Sequence, residues 1–198
     1  MTLGELGSVE GRPDLFPEVV KEIRLQEFQQ AMSSLGAKYE IMGLRDFGLS
    51  TIPLIEIAIP LMNVLRKNDF GAVFSFHPYE ITQDFDHPDH NMAGSATRFA
   101  SSAQDVKNFN VTQDFTNEEI AQATDSRPEL YFWTTDSNQA NKKIKLSKES
   151  RERRNNYLIN NYGSQFPSKS KSRWGKIFDR ITDKRLFKGH QEYYQRVR

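Results

Sequence analysis

The chain contains no cysteine among its 198 residues. Disulfide bonds, thiolate nucleophiles and cysteine-ligated zinc are therefore excluded, and any metal must be bound by histidine or carboxylate side chains. Long apolar runs are also lacking, because Pro53, Glu56 and Pro60 interrupt the longest one, from residue 52 to residue 65. Since no charged-then-apolar leader opens the chain either, we predict a protein without a membrane span, located in the cytoplasm.

Basic and acidic residues are unevenly distributed, although the formal net charge is only +1. Residues 140–198 contain 17 Lys and Arg but only 5 Asp and Glu, whereas the remainder contains 10 basic and 21 acidic residues. This basic C-terminal segment could contact phosphate, RNA or an anionic surface. The alternative is a set of solvated helices that pair with the acidic remainder. Because no nucleic-acid recognition motif accompanies the charge, we do not expect nucleic acid as a partner.

Hydrophobic spacing predicts strands and helices that alternate along the chain. Such alternation predicts a parallel sheet covered on both faces, with ligands bound beyond the carboxyl ends of its strands. The predicted helices cover residues 14–35 (ended by Gly36), 52–68 and 87–103, and two basic amphipathic segments follow at 148–161 and 174–197. The predicted strands are 39–44, 72–76 (buried on both faces) and 130–133, with residues 2–7 ending an earlier one. Loop clusters at 4–7, 45–48 and 84–90 should meet at one edge of the sheet.

Two histidines are predicted to face each other at the start of one helix. In the segment Asp86-His87-Pro88-Asp89-His90-Asn91, proline suits the first helical position, so His87 is expected at the N-cap and His90 three residues later. The helix dipole favours neutral imidazole, which is the form that binds a metal, and Asp89 could orient one ring. Spacing alone leaves two alternatives open, a metal site or a capped helix with two surface histidines. His77 is interpreted as a loop residue at a strand end.

Several segments resemble, in the same order, those of the LmbE/PIG-L deacetylase family. The most specific is His87-Pro88-Asp89-His90, which matches the family's second signature motif in full. The other similar segments are Thr2 to Gly7 (T-x-G-E-x-G), Arg24 to Glu27 with Leu35-Gly36 (an R-x-x-E helix), Leu44 to Gly48 (a strand end), Tyr162 to Gln165 (H-x-S-Q, with Tyr for His) and Glu192 to Tyr194 (E-x-F, with Tyr for Phe).

This resemblance implies a Rossmann-like three-layer α/β domain with a mostly parallel sheet, formed by residues 1–198 as a single domain. It also implies a zinc-dependent N-deacetylase with one Zn²⁺ per complete chain. In such an enzyme, metal-bound water attacks the N-acetyl amide of a glucosamine-type sugar or conjugate. The expected partner is therefore an N-acetylated sugar or glycoconjugate.

The resemblance also implies roles for individual residues at the expected catalytic centre. His90 would be a zinc ligand. His87 would be catalytic, by stabilising the oxyanion or protonating the leaving amine. Asp89 would be catalytic by pairing with that imidazole.

On the substrate side, the resemblance makes Arg24, Asp46 and Glu5 substrate-binding residues. Simpler alternatives stay open for each. Arg24 could pair with Glu27 one helical turn away, Glu5 could satisfy loop amides, and Asp46 could form a turn with Gly48.

The family's other signature, an N-terminal His-Pro-Asp-Asp segment, has no match in this sequence. That segment supplies the remaining metal ligands and the general base in the family, so we expect the first strand and helix to be missing and this chain to be inactive as it stands. Our hypothesis is a protein that starts further upstream; the alternatives are an inactive truncation, or a site completed by another chain. A different class of function also stays open, a non-catalytic α/β module that binds a phosphate-bearing ligand or RNA through residues 140–198.

Overall fold

The structure is a computed structural model that describes residues 2–7, 9, 12–79, 88–110, 114–125, 127–133, 140–165 and 191–197. Contacts between Cα atoms divide the chain into two compact units. Unit 1 comprises Met1–Asp46 and Ile144–Glu192, and unit 2 comprises Phe47–Lys143 and Tyr193–Arg198. His87, most of the predicted basic segment at 174–197 and part of the 84–90 loop cluster lie outside the described residues.

Helices and strands are mixed along the described part of the chain. The α-helices are α1 (Pro17–Leu35), α2 (Leu54–Lys67), α3 (Pro88–Ala103), α4 (Asn117–Asp125) and α5 (Lys148–Asn161). The strands are β1 (Ala72–Phe76), β2 (Glu129–Trp133), β3 (Lys142–Lys145) and β4 (Gln191–Val197), and short 3₁₀ turns cover Leu49–Thr51 and Lys107–Phe109. The predicted helices α1, α2 and α3 and the predicted strands β1 and β2 are thus confirmed to within a few residues.

In unit 1, α1 packs against α5. Pro17 opens α1, where its fixed φ and missing N–H fit the first helical position. Gly36 ends the helix with a φ of 63°, and the amides of Gly36 and Ala37 donate to the carbonyls of Ser33 and Met32. Only glycine adopts this left-handed conformation at little cost, which is why the predicted stop at Gly36 is confirmed.

In unit 2, small residues allow α3 to pack closely on α2. The buried side chains of α3 are almost all small, and those of α2 supply the larger apolar surface. Arg66, buried near the end of α2, donates to the carbonyl of Gln104 at 2.7 Å and to that of Val106 at 2.9 Å. The guanidinium therefore satisfies carbonyl groups just beyond the C-terminal end of α3.

The four described strands form one sheet in the order β1-β2-β4-β3. β1 and β2 are parallel, with Phe74 opposite Tyr131, and β2 and β4 are antiparallel, with Tyr131 opposite Arg196. This is a small mixed sheet within an α/β arrangement.

Two expectations about strands are wrong. Residues 39–44 form no strand; Gly43 has a φ of 67°, which breaks an extended conformation, and Tyr39 is exposed and packs edge-on against Phe28 of α1. β1 is not buried on both faces. Phe74 and Phe76 are exposed, and their rings stack on Tyr131 and His90.

None of the helices in the described part of the chain combines the length and the apolar character that a membrane crossing requires.

Candidate active site

The loop of residues 2–7 is tied to Asp46 by hydrogen bonds in unit 1. The amide of Asp46 donates to Glu5 Oε1 at 2.8 Å, and the amide of Leu6 donates to Asp46 Oδ2 at 3.2 Å. Thr2 Oγ1 donates to Asp46 Oδ1 at 3.4 Å. The 4–7 cluster therefore contacts Asp46 of the 45–48 cluster, but neither follows a strand among the described residues, so their predicted place at an edge of the sheet is not confirmed.

These contacts add to the simpler alternatives for Asp46 and Glu5. Asp46 is 5% exposed, and its carboxylate accepts bonds from a distant loop, so it does more than form a local turn. Glu5 does satisfy a backbone amide, as one alternative held. Its second oxygen, Oε2, is buried and has no hydrogen-bond partner among the described residues.

Arg24 lies on α1 in the same unit, beside the glycine that ends the 2–7 loop. A Cβ added to Gly7 would lie 3.4 Å from Nη2 of Arg24, an ordinary van der Waals distance, so the guanidinium lies close to this loop. Burial lowers the pKa of Arg24, while the carboxylates of Glu27 and Asp46 oppose that shift. Near neutral pH Arg24 remains a cation, because an arginine pKa starts far above this range.

Glu27, one helical turn after Arg24, binds a segment far away in the sequence. The amide of Ser164 donates to Glu27 Oε1 at 2.6 Å, and Ser164 Oγ donates to Glu27 Oε2 at 2.6 Å. Glu27 therefore does not serve Arg24 alone, but its charge also acts on Arg24, so the expected pairing of the two side chains stays open. Sequence reasoning gave Glu27 a possible pairing with Arg24 and gave Ser164 no role. The R-x-x-E and H-x-S-Q resemblances marked their segments, but nothing in the sequence joins two positions 137 residues apart.

In unit 2, Asp89 lies in the first turn of α3 and is 4% exposed. Its Oδ1 accepts a hydrogen bond at 3.1 Å from the amide of Leu49, which begins a 3₁₀ turn. A carboxylate is stabilised at this end of a helix by the helix dipole. Asp89 therefore fixes the turn at residues 49–51 to the start of α3.

His90 follows Asp89 and packs flat on Phe76 at the end of β1. The ring centroids are 4.0 Å apart and the planes differ by 4°. Stacking of this kind covers the ring face and leaves the edge of the imidazole, where its nitrogen atoms lie, outside the stack. Gly94, one turn later, brings α3 so close to β1 that an added Cβ would lie 2.3 Å from the carbonyl oxygen of Phe76.

Zinc needs more ligands than the described residues bring together. Within the described ranges, no group of three or more His, Cys, Asp or Glu side chains could hold a metal ion. A catalytic zinc uses three protein ligands and an open position. His90 is suitable as one ligand, but the described residues do not fit a complete zinc site.

His77 is the other histidine within the part of the chain that the structure describes. His87, expected at the N-cap of α3 and catalytic by resemblance, lies outside the described residues. His77 is 8% exposed in the loop after β1, and its Nδ1 accepts a hydrogen bond at 3.2 Å from the amide of Tyr79. Its place at a strand end is the predicted one.

Comparison with known proteins adds a family and a fold. A family model described as PIG-L, GlcNAc-PI de-N-acetylase, matches residues 1–101. A search of curated protein sequences gives no match. Among solved structures, the N,N'-diacetylchitobiose deacetylase of Pyrococcus horikoshii, in complex with its inhibitor MPG, has a TM-score of 0.70 and 20% identity, and the match covers 100% of this chain and 70% of that one.

A second solved structure, the conserved protein TT1542 of Thermus thermophilus, has a TM-score of 0.60 and 22% identity, over 97% of this chain and 76% of that one. At these identities the two structures establish a shared fold. The family match covers more than half of the chain and contains Glu5, Arg24, Asp46, Asp89 and His90.

Proposed function

This chain belongs to the PIG-L family of GlcNAc-PI de-N-acetylases, and from this premise we propose that it is an amide hydrolase that removes an N-acetyl group from a glucosamine-type sugar or conjugate. Water supplies a hydroxyl to the acetyl carbonyl and a proton to the nitrogen, so the products are acetate and a free amino sugar. The single observation that carries the proposal is that the family match includes Glu5, Arg24 and Asp46, which form one polar cluster in unit 1.

The proposed substrate-binding residues have chemistry suited to a sugar. Oε2 of Glu5 is a buried acceptor with no partner among the described residues, so it is available to a sugar hydroxyl. Arg24 supplies a cation and several N–H donors. Asp46 holds the 2–7 loop in place through its bonds to Leu6 and Thr2. We propose that these three residues bind and orient the sugar.

We propose that Asp89, His90 and His87 act at the amide. Asp89 fixes the start of α3 through Leu49, so the imidazole of His90 is held at a defined position above Phe76. His90 would be the zinc ligand, and the metal, when bound, would supply activated water and polarise the carbonyl. The described residues do not provide the complete set of zinc ligands. The remaining ligands are therefore part of what we propose. His87 would donate a proton to the leaving amine or stabilise the oxyanion.

The proposal extends to the architecture. We propose that residues 1–198 belong to one Rossmann-like three-layer domain and that the enzyme works in the cytoplasm. The likeness of fold to the Pyrococcus deacetylase, which covers the whole chain, supports the first point. Unfolding that follows one cooperative transition by two independent probes would support a single domain, and two separate transitions would contradict it.

Acetate release tests the proposed function. We would measure it from N-acetylglucosamine derivatives, including N,N'-diacetylchitobiose, together with zinc content, for the chain as it stands and for a form extended upstream in the same reading frame. We expect about one zinc per chain and acetate release in a form that carries the complete ligand set. If neither form of the protein binds zinc or releases acetate, the proposed deacetylase function is wrong.

A matched pair of variants locates the metal. His90→Ala should lose zinc, whereas His190→Ala, a histidine given no role here, should retain it. Equal zinc content in the two variants would contradict the role of His90, whatever the activity of the wild type.

A second candidate function rests on charge. Helix α5 carries four basic residues and two acidic ones, so it is a cationic helix within the basic segment 140–198. If the chain instead binds a phosphate-bearing ligand or RNA, affinity for an RNA oligomer should fall steeply as salt rises. Binding that is absent at low salt would eliminate this alternative.

A further inference from the structure

Two hydrogen bonds join Glu27 and Ser164, residues to which the proposed function gives no role. Both oxygens of the Glu27 carboxylate are used, one by the amide and one by the hydroxyl of Ser164, each at 2.6 Å. Ser164 is 9% exposed. Hydrogen bonds to a carboxylate are about twice as strong as neutral ones, so this contact is stronger than an ordinary loop contact.

Ser164 lies in a short turn that begins at Tyr162. The amide of Gln165 donates to the carbonyl of Tyr162 at 3.0 Å, which closes the turn. The amide of Tyr162 donates to the carbonyl of Leu158 at 2.9 Å, which ties the same turn to the end of α5. By holding Ser164, Glu27 therefore fixes the position of the half-buried Tyr162 ring relative to α1.

The same carboxylate acts on Arg24. Arg24 and Glu27 are one turn apart on α1, and the negative charges of Glu27 and Asp46 favour the cationic form of Arg24. Burial raises the pKa of the Tyr162 phenol, with smaller contributions in the same direction from Tyr157 and Glu27. The charge of Glu27 thus acts on both the guanidinium and the phenol, while its two oxygens hold Ser164 of the turn that carries the phenol.

We propose that Glu27 is a positioning residue of the deacetylase, which holds the turn at residues 162–165 against α1 and so sets the place of Arg24 and Tyr162 toward the substrate. This inference rests on the proposed function. In this proposal Arg24 binds the sugar, and Glu27 acts through Arg24 and through the turn that carries Tyr162, without touching the sugar or the amide itself. Loss of Glu27 should weaken substrate binding and leave the chemical step unchanged.

The test uses four single variants and one double variant, in whichever form of the protein releases acetate. Glu27→Gln removes the charge and one of the two acceptors, Glu27→Asp keeps both acceptors on a shorter side chain, and Ser164→Ala removes one donor. Glu22→Gln is the matched control, since Glu22 is an exposed residue of the same helix whose carboxylate accepts from Gln26 at 3.4 Å.

We expect KM for the N-acetyl sugar to rise about tenfold in Glu27→Gln, the size of one lost hydrogen bond to a charged group, with kcat nearly unchanged. Glu27→Asp should recover part of that loss, and Ser164→Ala combined with Glu27→Gln should cost less than the sum of the two single changes. Glu22→Gln should match the wild type.

The outcomes separate this inference from the proposed function. Acetate release with an unchanged KM in Glu27→Gln would overturn the inference alone, even if thermal stability falls, because a purely structural bond would then be the whole role of Glu27. A fall in kcat at constant KM would also overturn it. If no form of the wild type releases acetate, the proposed function fails, and the inference fails with it.

Discussion

Gly94 lies where α3 crosses the end of β1, and replacing it with alanine perturbs that crossing directly. The added Cβ would lie 2.3 Å from the carbonyl oxygen of Phe76, 2.9 Å from the nitrogen of Pro78 and 3.1 Å from the carbonyl carbon of His77. All three are backbone atoms, which cannot rotate away as a side chain could. The helix and the strand must therefore separate by roughly 1 Å to restore normal contact distances.

The size of the effect follows from two opposed contributions. Alanine is more favourable than glycine inside a helix by about 1 kcal/mol. Overpacking in a dense core costs about 1–3 kcal/mol, and a clash with backbone belongs at the upper end of that range or above it. We therefore expect Gly94→Ala to lower the free energy of unfolding by about 2 kcal/mol.

Urea unfolding followed by tryptophan fluorescence measures this loss. Trp133 is a suitable probe, because its ring lies edge-on to that of Phe76 with centroids 6.4 Å apart. Gly71→Ala is the matched control, since a Cβ there meets no atom within 4 Å. If Gly94→Ala proves as stable as Gly71→Ala, the close approach of α3 to β1 is wrong, and with it the seating of His90 on Phe76.

Three further predictions concern single side chains. Asp89→Ala should lose about 1–3 kcal/mol of stability in thermal unfolding, because the buried amide of Leu49 loses its acceptor. Asp89→Asn, which keeps an oxygen at that place, should lose less. Equal losses in the two variants would contradict this role of Asp89. Arg66→Ala should cost about 2 kcal/mol or more, because it leaves the carbonyl of Gln104 without its donor, and a neutral result in urea unfolding would contradict that contact. Because the pKa of Tyr162 is raised in the folded chain, the unfolded phenol ionises first, so the wild type should lose stability relative to Tyr162→Phe as the pH rises above about 10; a constant difference across that range would refute the shift.

The sequence was most informative where local chemistry alone sets the structure. Proline at the start and glycine at the end of α1 mark its bounds, and the apolar spacing of α2 and the strong β-forming residues of β1 and β2 mark theirs. The strand expected at 39–44 failed because Gly43 takes a left-handed φ, which the apolar pattern does not reveal. The prediction that β1 is buried on both faces was wrong, because the burial of each face of a strand depends on which elements cover it, and that is a tertiary property.

The candidate site was predictable in its residue types but not in its contacts. The segment from Pro88 to His90 could be recognised in the sequence, because proline and histidine at helix-start spacing are informative without any alignment. The contact between Glu27 and Ser164 was not predictable, because it joins positions 137 residues apart and neither side chain is unusual in its own segment. Asp46 was recognised, but its bonds to Leu6 and Thr2 depend on how two loops fold back on each other.

The decisive measurement is the rate of acetate release from an N-acetylglucosamine derivative, compared between the wild type, His90→Ala and His190→Ala. We predict measurable release by the wild type in the form with a complete ligand set, wild-type release by His190→Ala, and a loss of about 10²-fold or more in His90→Ala. Equal release by all three proteins would contradict the role of His90, and no release by the wild type in either form would contradict the deacetylase itself.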